Sequence, residues 1–320
     1  MQTVFAIVLF LVGLALIIKG GDWFVDAATW IAEASGMPKF IVGATVVSMA
    51  TTLPEVLVSS MAAIEGSSDM AIGNAIGSVT ANTGLIMAIS VIAMPIVIKR
   101  IDFAPKGLLM IASCVLLWAF CCGGSLSTVG ACVVLLLFAA FIFENIKSAK
   151  RAANADEVSE VDKSRKTVIK NIVLFIVGTA GLVVGSDLLV DNGTYLATVL
   201  GVSERVIAVT MVAIGTSLPE LVTCITAIVK KQPSMTVGNI LGANIIDITV
   251  ILPLCAFLSG GTLTIPAASV PQTVYLDMPF CLLETAIAVI PTLICKKFHK
   301  VQGVIMLCIY VAYVIMTVGA

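Results

Sequence analysis

The chain has 320 residues, of which 59% are hydrophobic and only 12% are charged, and its mean hydropathy is +1.12. A soluble globular domain carries about 25% charged residues, so this composition excludes an ordinary soluble protein and indicates an integral membrane protein. The 18 basic and 19 acidic residues nearly cancel, so net charge indicates no partner, and neither a nucleic acid nor an obligate protein partner is expected.

Ten apolar segments follow one another along the chain, each near the ~20 residues that are needed to cross a bilayer. They predict an all-α integral membrane protein with ten transmembrane helices. The first segment has no basic residue at its start and reaches its first charge only at Lys19, which favours a retained helix over a signal peptide. The segments are residues 3–33, 39–64, 70–98, 105–121, 127–147, 168–200, 205–229, 234–258, 271–295 and 302–318.

The basic residues are distributed unequally between the loops. Under the ten-helix prediction, 16 of the 18 Lys and Arg residues fall on one face, while Arg205 lies on the other and Lys19 lies within the first helix. The positive-inside rule places the 16 in the cytoplasm and both termini outside a cell (plasma) membrane. The polar linker at residues 149–167 is then a cytoplasmic loop.

Each predicted half contains five helices, at residues 1–148 and 168–320. Because five is odd, the second half enters the membrane upside down relative to the first. This arrangement is an inverted repeat, which is typical of transporters that work by alternating access around a site near the bilayer midplane.

The two halves repeat a short motif at an offset of 165 residues. Thr-Thr-Leu-Pro-Glu at residues 51–55 returns as Thr-Ser-Leu-Pro-Glu at residues 216–220. Each copy places a proline and a carboxylate within an apolar segment. A carboxylate in the membrane is costly and therefore indicates a functional site, and a helix broken at the same place in both halves marks the binding site of a transporter.

The prolines determine which oxygen atoms become available. Proline has no N–H, so Pro54 and Pro219 are expected to release the carbonyl groups of the residues four positions earlier and to loosen those of Ser48 and Ala213. In a bilayer such carbonyl groups need a new partner, and a cation is one candidate. Further oxygen comes from Glu55, Glu220, Thr51, Thr52, Thr216 and Ser217.

A second repeated motif lies on the segments that follow the breaks. Gly-Asn-x-x-Gly occurs at residues 73–77 and 238–242, and its glycines are expected to let helices approach closely. Ser78 and Asn82 share a helix face, and Asp247 is the repeat counterpart of Asn82. All these ligands are oxygen atoms, which favours hard cations such as Ca²⁺ and Na⁺ over zinc or copper.

The two Leu-Pro-Glu stretches and the two Gly-Asn-x-x-Gly stretches resemble the α-repeats of the Ca²⁺:cation antiporter superfamily, and most of all its prokaryotic sodium/calcium exchanger branch. The resemblance covers nearly the whole chain. It implies a secondary antiporter, not an enzyme, that exchanges Ca²⁺ for Na⁺ without a cofactor, with Glu55 and Glu220 as the central Ca²⁺ ligands.

The resemblance also implies roles for the remaining residues of the site. Asn82 and Asp247 would line its middle, and the carbonyl groups of Ser48 and Ala213 would belong to flanking Na⁺ sites. Hydroxyl or carbonyl oxygens would come from Thr51, Thr52, Ser78, Thr216 and Ser217.

The chain departs from the family pattern at Ala243, where the second repeat would carry a serine, while Ser78 keeps that hydroxyl in the first repeat. One flanking Na⁺ site is therefore expected to be weak. This leaves open an H⁺/Ca²⁺ antiporter in which protons neutralise Glu55 and Glu220. A cation channel and a membrane scaffold with merely kinked helices are the other hypotheses, but neither accounts as well for paired glutamates in inverted repeats.

Other acidic residues recur or stand alone in the apolar segments. Asp22 and Asp26 match Asp187 and Asp191 in the second half. These residues are expected either to line an aqueous approach or to lie at the membrane interface or pair with Lys19. Glu284 has no counterpart in the first half, and a hydrogen bond inside the helix bundle is expected there rather than a role in transport.

Overall fold

The computed structural model of the protein describes residues 2–94, 96–153, 161–201 and 215–319. These residues are almost entirely helical, with two three-residue strands, β1 (Ser125–Ser127) and β2 (Thr262–Thr264), that pair antiparallel. The helices are α1 (Gln2–Ser35), α2 (Lys39–Thr51), α3 (Leu53–Ile64), α4 (Ser68–Ala93), α5 (Arg100–Cys121), α6 (Thr128–Ala153), α7 (Arg165–Val199), α8 (Leu218–Val229), α9 (Pro233–Leu258), α10 (Val270–Cys295) and α11 (Lys300–Gly319).

The helices confirm a multi-pass membrane protein. Within the described residues, eight are long and apolar enough to cross a bilayer, and the bent pair α2–α3 makes a ninth span. The predicted segment at residues 205–229 is represented by α8, which has 12 residues, and its first part, with Arg205, lies outside the described residues. The count of ten therefore stays a prediction.

The two longest helices, α1 and α7, pack along each other through glycines. A Cβ atom on Gly20 would lie 2.9 Å from the carbonyl oxygen of Gly178, and one on Gly185 would lie 2.8 Å from the backbone nitrogen of Ile17. Contacts this short are possible only where side chains are absent, which is how helices approach closely in lipid. Much of the remaining surface of α1 and α7 is exposed and apolar, as expected for helices that face lipid.

The centre of the molecule is formed by α4 and α9. In the first half of α9 every residue from Met235 to Ile246 is buried, as expected for a helix that is apolar on all sides. Gly238 packs directly on the backbone of α2, where a Cβ atom would meet the carbonyl oxygen of Phe40, and a Cβ atom on Gly242 would lie 2.7 Å from the carbonyl oxygen of Ala44. The close approach that was predicted for the second copy of the Gly-Asn-x-x-Gly motif, at residues 238–242, is confirmed.

Within the described residues, four short π-helical segments interrupt the α-helices, and two of them occupy matching positions in the two halves. One begins at Asn82 and runs to Met87, and the other begins at Asp247 and runs to Ile251. Such segments are rare and are frequently found at functional sites. Asn82 and Asp247, which are repeat counterparts, thus each begin a π-helical segment.

Candidate cation-binding site

The predicted helix breaks are confirmed at both motifs. The chain leaves the helical conformation at Thr52 (φ −82°, ψ 1°), and α3 starts with Leu53 and Pro54 at an angle of 45° to α2. Ser217 has nearly the same conformation (φ −87°, ψ 6°) before α8. Glu55 and Glu220 therefore lie in the first turns of α3 and α8, where the helix dipole stabilises a negative charge.

The hydroxyls that precede α3 and α8 do not cap these helices. Thr52 and Ser217 occupy the N-cap positions, yet neither side chain accepts a capping hydrogen bond. The Thr52 hydroxyl donates to Glu220 Oε1 (3.4 Å), and Ser217 Oγ donates to Ser78 Oγ (3.3 Å). The two hydroxyls thus make contacts between the two halves of the chain, Thr52 with α8 and Ser217 with α4.

Asn74 and Asn239 connect the two halves through matching hydrogen bonds. Thr51 Oγ1 donates to Asn239 Oδ1 (3.3 Å), and the repeat counterpart Thr216 Oγ1 donates to Asn74 Oδ1 (3.1 Å). The Asn74 amide also donates to Ser59 Oγ (2.9 Å). These asparagines were not predicted as site residues, although their place in both Gly-Asn motifs was the signal that could have identified them.

Four buried side chains in this region retain oxygen atoms without a hydrogen-bond partner among the described residues. They are Glu55 (both oxygens), Glu220 (Oε2), Asp247 (both oxygens) and Asn82 (Oδ1), and each side chain is at most 1% exposed. Most buried polar atoms in native proteins are hydrogen-bonded, and leaving them unpaired is costly. The arrangement therefore fits a ligand that these oxygens would bind, and a cation meets that requirement.

The orientation of Asn82 is fixed from the opposite side of its amide. Asn82 Nδ2 donates to Asn244 Oδ1 (3.1 Å), and Asn244 Nδ2 in turn donates to Thr83 Oγ1 (2.8 Å). Because the nitrogen is held in this way, the Asn82 oxygen is left available as a ligand. Asn244 is thus a supporting residue that the sequence did not indicate.

The donor set suits a hard cation held mostly by neutral oxygens. The described residues contain no group of three or more His, Cys, Asp and Glu side chains arranged around one metal ion. The Thr52 hydroxyl, three residues before Glu55, nevertheless contacts Glu220 Oε1 (3.4 Å), so both glutamates lie at the place where the two broken helices meet. Ca²⁺ accepts six to eight oxygen ligands, including hydroxyl, amide and carbonyl oxygens, so two carboxylates with such neighbours can hold it.

The predicted carbonyl ligands have different outcomes. The Ser48 carbonyl oxygen accepts the backbone N–H of Thr52 (3.0 Å) and the hydroxyl of Thr51 (3.4 Å), so the loosening that was predicted for it is not seen, and its role as a Na⁺ ligand stays a prediction. The reason is that Thr52, whose N–H donates to the Ser48 carbonyl, still lies before the first residue of α3. Ala213 lies outside the described residues.

The loss of a hydroxyl at Ala243 has a visible consequence. Ser217 donates to Ser78, but the corresponding bond in the other half would join Thr52 to Ala243, which has no hydroxyl. Ala243 is fully buried, and Thr52 donates to Glu220 instead. The two halves of the site are therefore chemically unequal at this one position.

A cavity of about 590 Å³ reaches the site from one end of the bundle. It is lined by Asn74, Ser78 and Thr216 near the site and by Asp69 and Ser269 near its mouth. The close approach that was predicted for Gly73 and Gly77 is not seen among the described atoms, because this face of α4 borders the cavity.

The remaining acidic residues fall into two groups. Asp22 and Asp26 form ion pairs with Lys230, with Nζ–Oδ1 distances of 3.5 and 2.7 Å, while Lys19 is 4.0 Å from Asp22. The predicted pairing with Lys19 is thus seen for Asp22, whereas Lys230, which pairs with both residues, was not predicted. The hydrogen bond predicted for Glu284 is not found within the described part of the chain.

The chain matches known proteins over nearly its full length. A family model described as "Sodium/calcium exchanger protein" matches residues 5–147 and 170–319. An uncharacterised membrane protein of Methanocaldococcus jannaschii is 32% identical over 308 residues, covering 94% of each chain. The sodium/calcium exchanger MaX1 of Methanosarcina acetivorans is 29% identical, covering 95% of this chain and 96% of that one.

Solved structures show the same fold. A structure of the sodium-calcium exchanger NCX_Mj soaked with Na⁺ and Ca²⁺ has a TM-score of 0.81 and 30% identity, covering 96% of this chain and 97% of that chain. One soaked with Na⁺ and Sr²⁺ has a TM-score of 0.82 and 29% identity, covering 97% and 98%.

Proposed function

Because this chain belongs to the sodium/calcium exchanger protein family, we propose that it is a secondary antiporter that exchanges Ca²⁺ for Na⁺ across a membrane. One observation of the structure carries the proposal: unpartnered oxygens of Glu55, Glu220, Asp247 and Asn82 are buried beside two broken helices. The exchangers MaX1 and NCX_Mj, which match nearly the whole chain, support it.

The proposed mechanism is competition for one set of ligands. One Ca²⁺ or several Na⁺ ions neutralise Glu55 and Glu220, with Asn82 and Asp247 in the middle of the site. An empty site would keep charged carboxylates away from water, which is costly in a membrane. Only a loaded site therefore changes its access readily, and this couples the two ions. Neutral ligands would be oxygens of Thr51, Thr52, Ser78, Thr216 and Ser217, with the Ser48 and Ala213 carbonyls at the flanking Na⁺ sites.

The assay that tests this function is the uptake of radioactive Ca²⁺ into proteoliposomes under imposed Na⁺, H⁺ or K⁺ gradients. We expect uptake to require Na⁺ on the opposite side. Uptake without any counter-ion gradient would indicate a channel, and no uptake under any gradient would indicate a scaffold.

We also propose the orientation and symmetry that the sequence predicts: ten helices in two inverted halves, residues 1–148 and 168–320, with the 149–167 linker in the cytoplasm. Under this orientation the cavity that reaches Asn74 and Ser78 opens to the outside, because Asp69 and Ser269 lie at its outer end. The cavity then serves as the route by which external ions reach Glu55 and Glu220.

A tag at the C-terminus tests the orientation. Since 16 of 18 basic residues fall on the face of the linker, we expect the tag to react with an impermeant reagent added outside intact cells. A second tag within residues 149–167 should react only after the membrane is opened. The reverse pattern would contradict the proposed topology.

The hydroxyl that is missing at Ala243 favours a second candidate function, H⁺/Ca²⁺ antiport. If this hydroxyl helps to hold Na⁺, Ala243→Ser should raise the apparent Na⁺ affinity while Ca²⁺ affinity stays nearly unchanged. A neutral hydrogen-bonding group contributes about 0.5–1.5 kcal/mol, so the expected gain is severalfold at most. Na⁺ titrations of Ca²⁺ uptake in both proteins measure it.

The same variant separates the two functions. Wild-type uptake that responds to a pH gradient and not to Na⁺, together with no Na⁺ response in Ala243→Ser, would contradict Na⁺ coupling and support H⁺/Ca²⁺ exchange. The Thr52 hydroxyl is the contact to examine, since it is the donor that a serine at 243 would meet by repeat symmetry.

A further inference from the structure

A buried carboxyl group, Glu284, stands apart from the cation site. It lies in α10, is fully buried, and neither of its oxygens has a hydrogen-bond partner among the described residues. Its repeat counterpart is Ala119, so Glu284 does not belong to the duplicated set of ion ligands. The carboxyl group thus needs an explanation other than Ca²⁺ or Na⁺ coordination by the two repeats.

Glu284 is tightly packed against α4. A Cβ atom on Gly84 would lie 2.8 Å from Glu284 Oε1 and 2.7 Å from the Cβ of Tyr310, so α4, α10 and α11 meet at this glycine. Gly84 lies in the π-helical segment that starts at Asn82. The carboxyl group therefore rests against the same short segment that carries a residue of the proposed cation site.

The titratable groups that these elements place near Glu284 carry no positive charge, since Lys300 of α11 lies ten residues before Tyr310 and is exposed. Tyr310 faces the carboxyl from α11, Cys281 lies one turn earlier on α10, and the π-helical part of α4 has no ionisable side chain. On α5, Cys114 contacts Cys281 (Sγ–Sγ 3.9 Å), while the Lys106 Nζ donates to the Asp102 carbonyl oxygen and to Ser148. Each ion pair among the described residues joins a lysine to another acidic residue, and none includes Glu284.

We propose that Glu284 is a proton-binding site, separate from the cation site, whose proton is required for the packing of α4, α10 and α11 around Gly84. A buried carboxylate without a counter-charge or hydrogen bonds is far more costly than the neutral acid, so the group retains its proton. Tyr310 also lines the cavity, which gives protons an approach to the carboxyl from that side.

Loss of this proton would affect exchange through the π-helical segment. A carboxylate requires water or a cation beside it, and on the side of Gly84, where an added Cβ atom would already lie 2.8 Å from Glu284 Oε1, neither fits unless the π-helical segment moves. The displaced segment begins at Asn82, so exchange should slow as Glu284 ionises. This second step rests on the proposed exchange function, whereas proton binding does not.

Infrared spectroscopy tests proton binding without any transport. The protein is measured with saturating Ca²⁺, so that the carboxylates of the cation site are neutralised by the ion. We expect the difference between wild type and Glu284→Gln to contain the band of a protonated carboxyl group at neutral pH. The exposed Glu65, changed to Gln, is the control and should lose a carboxylate band instead.

The pH dependence of Na⁺-driven Ca²⁺ uptake tests the consequence. Glutamine has the shape of the protonated acid, so Glu284→Gln should exchange at neutral pH at about the wild-type rate. At alkaline pH the wild type should lose activity, by up to about tenfold per pH unit for a single proton, while Glu284→Gln retains it.

A carboxylate band for Glu284 in the infrared difference, or identical pH profiles of the two proteins, would overturn the proposal. If the wild type shows no Na⁺-driven uptake at any pH, the exchange function fails, and the infrared result still decides whether Glu284 binds a proton.

Discussion

Glu55→Gln and Glu220→Gln are each expected to lower Na⁺-driven Ca²⁺ uptake by roughly 100-fold or more. Each variant removes one partner from a buried pair of opposite charges, the carboxylate and the bound Ca²⁺, and such a loss costs about 3–5 kcal/mol. Both carboxylates are at most 1% exposed and keep unpartnered oxygens beside a helix break. Glutamine keeps the size of the side chain but removes the charge that would balance Ca²⁺. Uptake of radioactive Ca²⁺ by proteoliposomes measures the loss.

The matched control is Glu65→Gln. Glu65 directly follows α3, the helix that begins near Glu55, but its side chain is exposed at the far end. This variant should retain uptake, and all three should reach the membrane in similar amounts. Near-normal uptake in either of the first two variants would disprove the proposed site.

Gly238→Ala is expected to destabilise the protein by about 1–3 kcal/mol or more, because overpacking a close contact forces its neighbours apart. The new Cβ atom would meet the carbonyl oxygen of Phe40 and lie 3.0 Å from the backbone nitrogen of Ala44. Both neighbours are backbone atoms of α2, so no flexible side chain can move aside. Thermal unfolding in detergent should show a lower midpoint, and Ca²⁺ uptake should fall with it.

Gly123→Ala is the control for this substitution. It makes the same chemical change in the loop after α5, where a Cβ atom would have no described neighbour within 4 Å. Its unfolding midpoint should stay near that of the wild type. Equal midpoints for Gly238→Ala and the wild type would show that α2 and α9 do not pack as closely as the structure indicates.

Local chemistry explains why much of the site was predictable. Pro54 and Pro219 must interrupt a helix, and a glutamate next to such a break within an apolar segment needs a partner. The structure places both breaks and both glutamates as predicted. The close packing of Gly238 follows equally from small residues spaced four apart.

Features that depend on tertiary packing were not predictable. The Ser48 carbonyl keeps its helical hydrogen bond, because its donor, the backbone N–H of Thr52, still lies before the break. Asn244 supports Asn82 through an amide contact between α4 and α9 that no spacing in the sequence indicates. The absence of a described partner for Glu284 likewise depends on which helices surround it.

The Asp22 and Asp26 ion pairs with Lys230 make the two halves electrostatically unlike. The repeat counterparts of these three residues are Asp187, Asp191 and Glu65, which are all acidic, so no matching ion pair can form among them. Under the proposed alternating access, the two end states therefore differ in free energy even with the same ion bound. Exposed ion pairs contribute about 0–1 kcal/mol each, so the resting populations should be unequal by no more than severalfold and should approach each other at high ionic strength.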